Sequence, residues 1–182
     1  MPRMEFNFAD GKSGRIEQIG LGYSAFTGHE NCWTGQNTPI AKKWRAYFSF
    51  DTSSLPDDAQ VTKVEFWQRL AYAQPAGNPE TLSIKYSVGT FIGAALNGNA
   101  GEWNGGTVVL EVNEEFNGVW VELEGAHGYV NLSGDTDLKV WDDSYGGGGS
   151  SSWGTDFNRP SDKCRLRVTY APVGLDAASA QA

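Results

Sequence analysis

Sulfur and imidazole are scarce in this chain: two cysteines, two methionines and two histidines among 182 residues. Long apolar runs are missing, so no segment reads as a bilayer-spanning helix and no membrane partner is expected. Cations are the minority charge, with Lys and Arg 14 against Asp and Glu 22 and a formal net charge of −8. A molecule of that sign repels polyphosphate, and no basic stripe offsets it, so nucleic acid is excluded as a partner. The one dense basic cluster, Lys42-Lys43-Trp44-Arg45, reads as a solvated loop entering a strand. Leucine heptads and a helical period over three turns are also missing, and with 23 glycines this argues against a coiled coil or a helix bundle. The opening Met1-Pro2-Arg3-Met4-Glu5-Phe6 has no apolar stretch of the secretory kind, so export by that route is not expected.

The two cysteines, Cys32 and Cys164, lie far apart, with no CxxC and no paired histidines nearby. A zinc site is therefore not expected. Two readings stay open: one bridge from an early loop to the last strand, or two unrelated buried thiols, the commoner case.

What the chain does have is alternation. Trp44, Ala46, Phe48 and Phe50 alternate with Arg45, Tyr47 and Ser49, the pattern of a half-buried strand. The same period runs through Val64 to Leu70, Leu82 to Val88, Val119 to Leu123, Asp137 to Trp141 and Cys164 to Tyr170. It is weaker over Arg15 to Ile19 and Thr107 to Val112. About eight strands at this spacing predict an all-β fold, an antiparallel jelly-roll β-sandwich with long loops. The expected organisation is an N-terminal arm over 1–13, the sandwich over 14–171 and a C-terminal tail over 172–182. Phe91 to Leu96 has room for one short helical turn. Long loops are expected over Tyr23 to Ala41, Ala73 to Pro79 and Asp142 to Asp162, the last holding Gly146-Gly147-Gly148-Gly149.

Three segments together resemble a known family: Arg45 to Val61, with "FDTSSLPDDAQV" as its specific part, then Thr136 to Trp141, then the closing Cys164-Arg165-Leu166-Arg167-Val168-Thr169-Tyr170. Their order is similar to the DNRLRE-type β-sandwich modules and the family 96 carbohydrate-binding modules. The resemblance covers about Ile16 to Tyr170. It implies a jelly roll and a non-catalytic role, attachment to a polysaccharide or to a larger extracellular or virion assembly. The motif also has a local reason to exist. Asp51, Thr52, Ser53 and Ser54 can bond their own backbone and reverse the chain, and Pro56 pre-sets the next turn. It is read as a structural corner.

Chemistry is thin. His29 and His127 both fall in loops or turns, and no GxSxG elbow appears. Cys32 with His29 makes a poor thiol–imidazole pair, because residues three apart in a loop rarely hold the geometry. Glu114-Glu115 and Asp142-Asp143 are adjacent, and in a strand neighbours point to opposite faces. They do not meet the carboxylate separation of about 5–9.5 Å that glycoside hydrolysis needs. Asp135, Asp137, Asp142 and Asp143 could offer oxygens to calcium, but the EF-hand spacing is missing, and solvated strand ends are the simpler reading. No enzyme, cofactor or metal is expected.

Seven tryptophans are the strongest functional hint. Trp44 fits an inward series. Trp67, Trp120 and Trp141 fall on faces shared with charged residues. Trp33, Trp103 and Trp153 fall in loops or turns, where with Tyr145 they form the expected ligand- or partner-binding set. The function expected is that of a bacteriophage virion surface subunit, of decoration or fibre type. It would assemble in the host cytoplasm and dock on other protein subunits, including copies of itself as a homo-oligomer. The alternative is an extracellular glycan-binding module that holds a polysaccharide through its loop aromatics.

Overall fold

The computed structural model describes residues 1–9, 11–28, 32–37, 41–68, 72–74, 83–112, 118–142, 152–156 and 164–172. In chain order the strands are β1 (Arg3–Asn7), β2 (Gly14–Ile19), β3 (Gly22–Thr27), β4 (Trp33–Asn37), β5 (Lys42–Asp51), β6 (Gln60–Gln68) and β7 (Tyr72–Gln74). They continue with β8 (Ile84–Gly89), β9 (Thr107–Val112), β10 (Val119–Glu122), β11 (Asp135–Asp142), β12 (Ser152–Asp156) and β13 (Arg165–Ala171). A five-residue helix, α1 (Ala100–Asn104), and a 3-10 turn over Ala126–Tyr129 complete the described elements.

The strands pair antiparallel in two sheets. The smaller runs β1-β13-β6-β10, and the larger runs β7-β12-β4-β5-β11-β8-β9 with the β2–β3 hairpin joined to β5. This is the all-β sandwich that the alternation predicts. All eight predicted strands form, and β1, β3, β4, β7 and β12 add to them.

The inward residues of both sheets make one core. Phe66 of the small sheet stands 5.1 Å from Phe48 and 6.4 Å from Tyr86 of the large one. Val64, Leu166 and Val168 face Ala46, Leu138 and Val140 in the same cluster. Each such side chain contributes about 1.5–3 kcal/mol when taken from water. One polar pair crosses the core: the Tyr86 hydroxyl donates to Gln68 Oε1 at 2.7 Å.

The first residues are not an arm. Met4 to Phe8 keep the period-two pattern, β1 pairs with β13 from Arg3↔Thr169 to Asn7↔Arg165, and Phe6 and Phe8 sit in the core. The sandwich therefore begins near Arg3. The loop expected over 23–41 contains most of β3 and all of β4. The loop over 142–162 contains β12, which pairs with β4. Those strands lack a continuous apolar series; β3 packs Tyr23 and Ala25 against the cluster of Ile16 and Trp103, and β4 and β12 pair backbone to backbone. Lys42 to Arg45 belong to β5 itself and not to a loop before it. Phe91 to Leu96 are not helical; the helix comes later, at α1. The residues from 173 onward, expected as a tail, lie outside the described ones, as does His29.

The corner motif folds as its chemistry predicts. Asp51 Oδ1 accepts from the Ser53 amide at 3.1 Å and from its hydroxyl at 2.6 Å. Thr52 Oγ1 lies 2.6 Å from Asn131 O, 2.9 Å from Gly134 O and 2.8 Å from Thr136 Oγ1, tying the corner to the start of β11. Cys32 and Cys164 are both buried in the core and no disulfide joins them.

Candidate functional site

The outer face of the small sheet gathers large side chains that alternation places in solvent. Trp67 on β6 lies opposite Trp120 of β10 on one side and Arg165 of β13 on the other. One pair further along, Glu65 lies between Glu122 and Arg167, and Arg167 lies opposite Glu5 of β1. The indoles lean together with centroids 5.5 Å apart at 56°. The Arg167 guanidinium stands 3.6 Å above the Trp120 ring, and Arg165 lies 5.4 Å and 5.5 Å from the two rings.

Ion pairs fix this lattice. Glu5 accepts from Arg167 at 2.7 Å and from Arg165 at 3.2 Å. Glu65 and Glu122, directly opposite and of like charge, would repel. Lys63 bridges them at 3.0 Å and 3.1 Å, and its hydrogen bonds to Glu65 and then Glu122 raise its pKa. The Trp67 indole N–H is covered and meets no acceptor among the described residues. The result is a rigid face of paired indoles and oriented guanidinium planes with carboxylates between them. It can stack planar groups and pair with acids through nitrogens already in place.

A second aromatic–cation cluster is buried on the opposite side of the molecule's large sheet. There the segment from Thr90 to Gly106 crosses the outer face and covers Ile16 and Tyr47 with Ile92, Leu96 and Trp103. Charged side chains clasp it. Asp137 accepts the Phe91 and Ile92 amides, each at 2.7 Å, and the Ser49 hydroxyl at 2.7 Å. Lys139 Nζ donates to Trp103 O at 2.8 Å and Gly105 O at 2.6 Å. Arg45 donates to Trp103 O at 2.5 Å and lies between the Trp103 and Trp141 rings, at 4.2 Å and 4.6 Å. Helix α1 carries a capping box in which Asn99 and Glu102 satisfy each other's backbone amides. Burial, followed by the nearby Arg45 charge, pulls Lys139 down to about 7. Burial raises Asp137, against the hydrogen bonds it accepts.

The predicted residues divide accordingly. Trp103 is 4% exposed and its ring is a lid on Tyr23 and Arg45, so it offers no surface for stacking. Trp33 and Trp153 lie on adjacent strands, Trp33 opposite Asp156 and Trp153 opposite Gln36, which brings β4 and β12 together as neighbours. Tyr145 lies outside the described residues. Trp44 is buried as expected and donates to Glu17 Oε2 at 2.8 Å. Burial pushes that carboxyl up, but its hydrogen bonds from Lys42 and Trp44 outweigh this and hold it below its ordinary value. Asp137 is not a solvated strand end, because Oδ2 accepts both amides of the crossing segment and Oδ1 accepts the Ser49 hydroxyl of β5. Among the described residues no cluster of three or more His, Cys, Asp or Glu could hold a metal ion. No described helix is long and apolar enough to cross a membrane.

Sequence reasoning placed Trp67 and Trp120 on charged faces but did not join them. The signal that joins them is Arg165-x-Arg167, two cations on one face of a strand whose neighbour carries Trp67. No family model matches the chain, and no characterised protein matches it.

Proposed function

We propose that this protein is a non-catalytic β-sandwich subunit of a larger assembly, of the decoration or fibre type found on a phage virion. It docks on neighbouring subunits, copies of itself among them, through the outer face of the small sheet. One observation carries this reading: the Trp67–Trp120 pair flanked by Arg165 and Arg167. Tryptophan and arginine are the residue types that dominate binding energy at protein interfaces. Holding them rigid beforehand lowers the entropy lost on docking. The alternation of Arg and Glu across this face suits a second copy, whose acids meet these guanidiniums. The buried acids Asp137, Glu17 and Glu102 each hold backbone or side-chain partners of their own, which supports a scaffold role over proton transfer.

The test is co-expression with the neighbouring genes followed by particle purification. The chain is expected in the particles at fixed stoichiometry, and Trp120→Glu is expected to stay outside them while folding normally. Particles that form complete without the chain, or that take up Trp120→Glu equally well, would overturn the reading.

A further inference from the structure

The outer face of the small sheet is a grid, because register sets which side chains stand level. In the strand order β1, β13, β6, β10, one row is Asn7, Arg165, Trp67 and Trp120. The next is Glu5, Arg167, Glu65 and Glu122. A third holds Arg3, Thr169 and Lys63 on the first three strands. This pattern decides how the face can meet a copy of itself.

Two sheets stacked face to face keep their strands within about 30° of each other. A twofold axis in the contact plane then runs nearly along the strands or nearly across them. Across them, an axis through the middle row lays Arg167 on Arg167 and each glutamate on itself. Between the first and second rows it lays Arg165 on Arg167, and between the second and third it carries both tryptophans off the grid. Along the strands, an axis on any one strand sets each of its charges on itself. Between β6 and β10 it lays Glu65 on Glu122, and between β1 and β13 it leaves both tryptophans uncovered.

Between β13 and β6 the outcome differs. Arg165 lies on Trp67 of the second copy and Arg167 on its Glu65, and the symmetry makes each contact twice. Asn7 meets Trp120, and Thr169 meets Lys63. Arg165 has its side chain 38% exposed and bonds Glu5 at 3.2 Å, so its guanidinium can still receive a second ring. The like charges set level are Glu5 and Glu122. They stand at the rim, where Arg167 holds Glu5 and Lys63 holds Glu122.

We infer, resting on the docking role proposed for this face, that two copies stack by it about a twofold axis running along the strands between β13 and β6.

Cysteine linking tests the register, since Cys32 and Cys164 are buried while Glu5 and Glu122 are exposed. A mixture of Glu5→Cys and Glu122→Cys chains in oxidised glutathione is expected to give a disulfide dimer joining position 5 to position 122. Neither variant alone is expected to link to itself. Glu122→Lys is expected to tighten association several-fold in sedimentation velocity, because it sets an ammonium against Glu5 of the second copy. No link in the mixture, self-linking of either variant, or unchanged or weaker association of Glu122→Lys would overturn this axis while leaving the docking face in place. A wild-type chain that stays monomeric at every concentration would overturn the self-docking on which it rests.

Discussion

The guanidinium of Arg167 lies 3.6 Å above the centre of the Trp120 ring while its nitrogens reach Glu5 at 2.7 Å and Glu65 at 3.7 Å. One side chain thus spans β10, β6 and β1 from its place on β13 and sets the shape of the whole outer face. Planarity is what lets it stack and fork at once. Arg167→Ala is expected to lower stability by about 1–2 kcal/mol. Arg167→Lys should recover less than half of the loss. Urea titration of the three proteins checks this, and a lysine variant equal to wild type would show that charge alone matters.

Lys139 gives a pH signature. Its folded pKa, about 7, lies below its ordinary 10.5. Between those values the unfolded chain binds the proton and the fold does not, so stability rises with pH across that window. Above it the trend reverses, because burial pushes the Tyr47 and Tyr86 phenols up and the unfolded chain ionises first. Denaturation midpoints from pH 7 to pH 10 should climb for wild type relative to Lys139→Met. Parallel curves would place the charged ammonium in the fold throughout.

Asp137 is the anchor of the crossing segment. Asp137→Ala strands the Phe91 and Ile92 amides and is expected to cost about 2–4 kcal/mol. Hydrogen exchange at those two amides should speed up far more than exchange in β6 or β13. Uniform acceleration would mean that the segment and the sandwich open together.

At the corner, Thr52→Val removes a hydroxyl that touches three oxygens and leaves its shape in place. A loss of about 1–3 kcal/mol in chemical denaturation is expected, with the sheets intact by circular dichroism. A neutral effect would show that water satisfies those groups equally well.

Much of this fold was legible because a period of two needs no partner to be seen. Trp44 to Phe50 and Cys164 to Tyr170 announce themselves as strands, and the Asp51–Pro56 corner follows from side-chain hydrogen bonding alone. β4 and β12 were not legible, since Trp33–Asn37 and Ser152–Asp156 are polar and glycine-bearing and become strands through each other. Nor was the fate of Trp103. Its place in a turn suggested exposure, but the crossing segment folds it onto Arg45, a contact 58 residues away in sequence. The contact face was half legible: alternation put Trp67 and Trp120 outward, while their meeting depends on strand order, which a single strand's pattern does not encode.

The docking claim is tested most directly by sedimentation velocity across a concentration series, comparing wild type with Trp120→Ala/Arg167→Ala. Wild type is expected to populate species heavier than the 19.8 kDa monomer as concentration rises, and the double variant to remain monomeric with its sandwich folded. Identical distributions for the two proteins, monomeric or associated, would contradict the assignment of the small-sheet face as the contact surface.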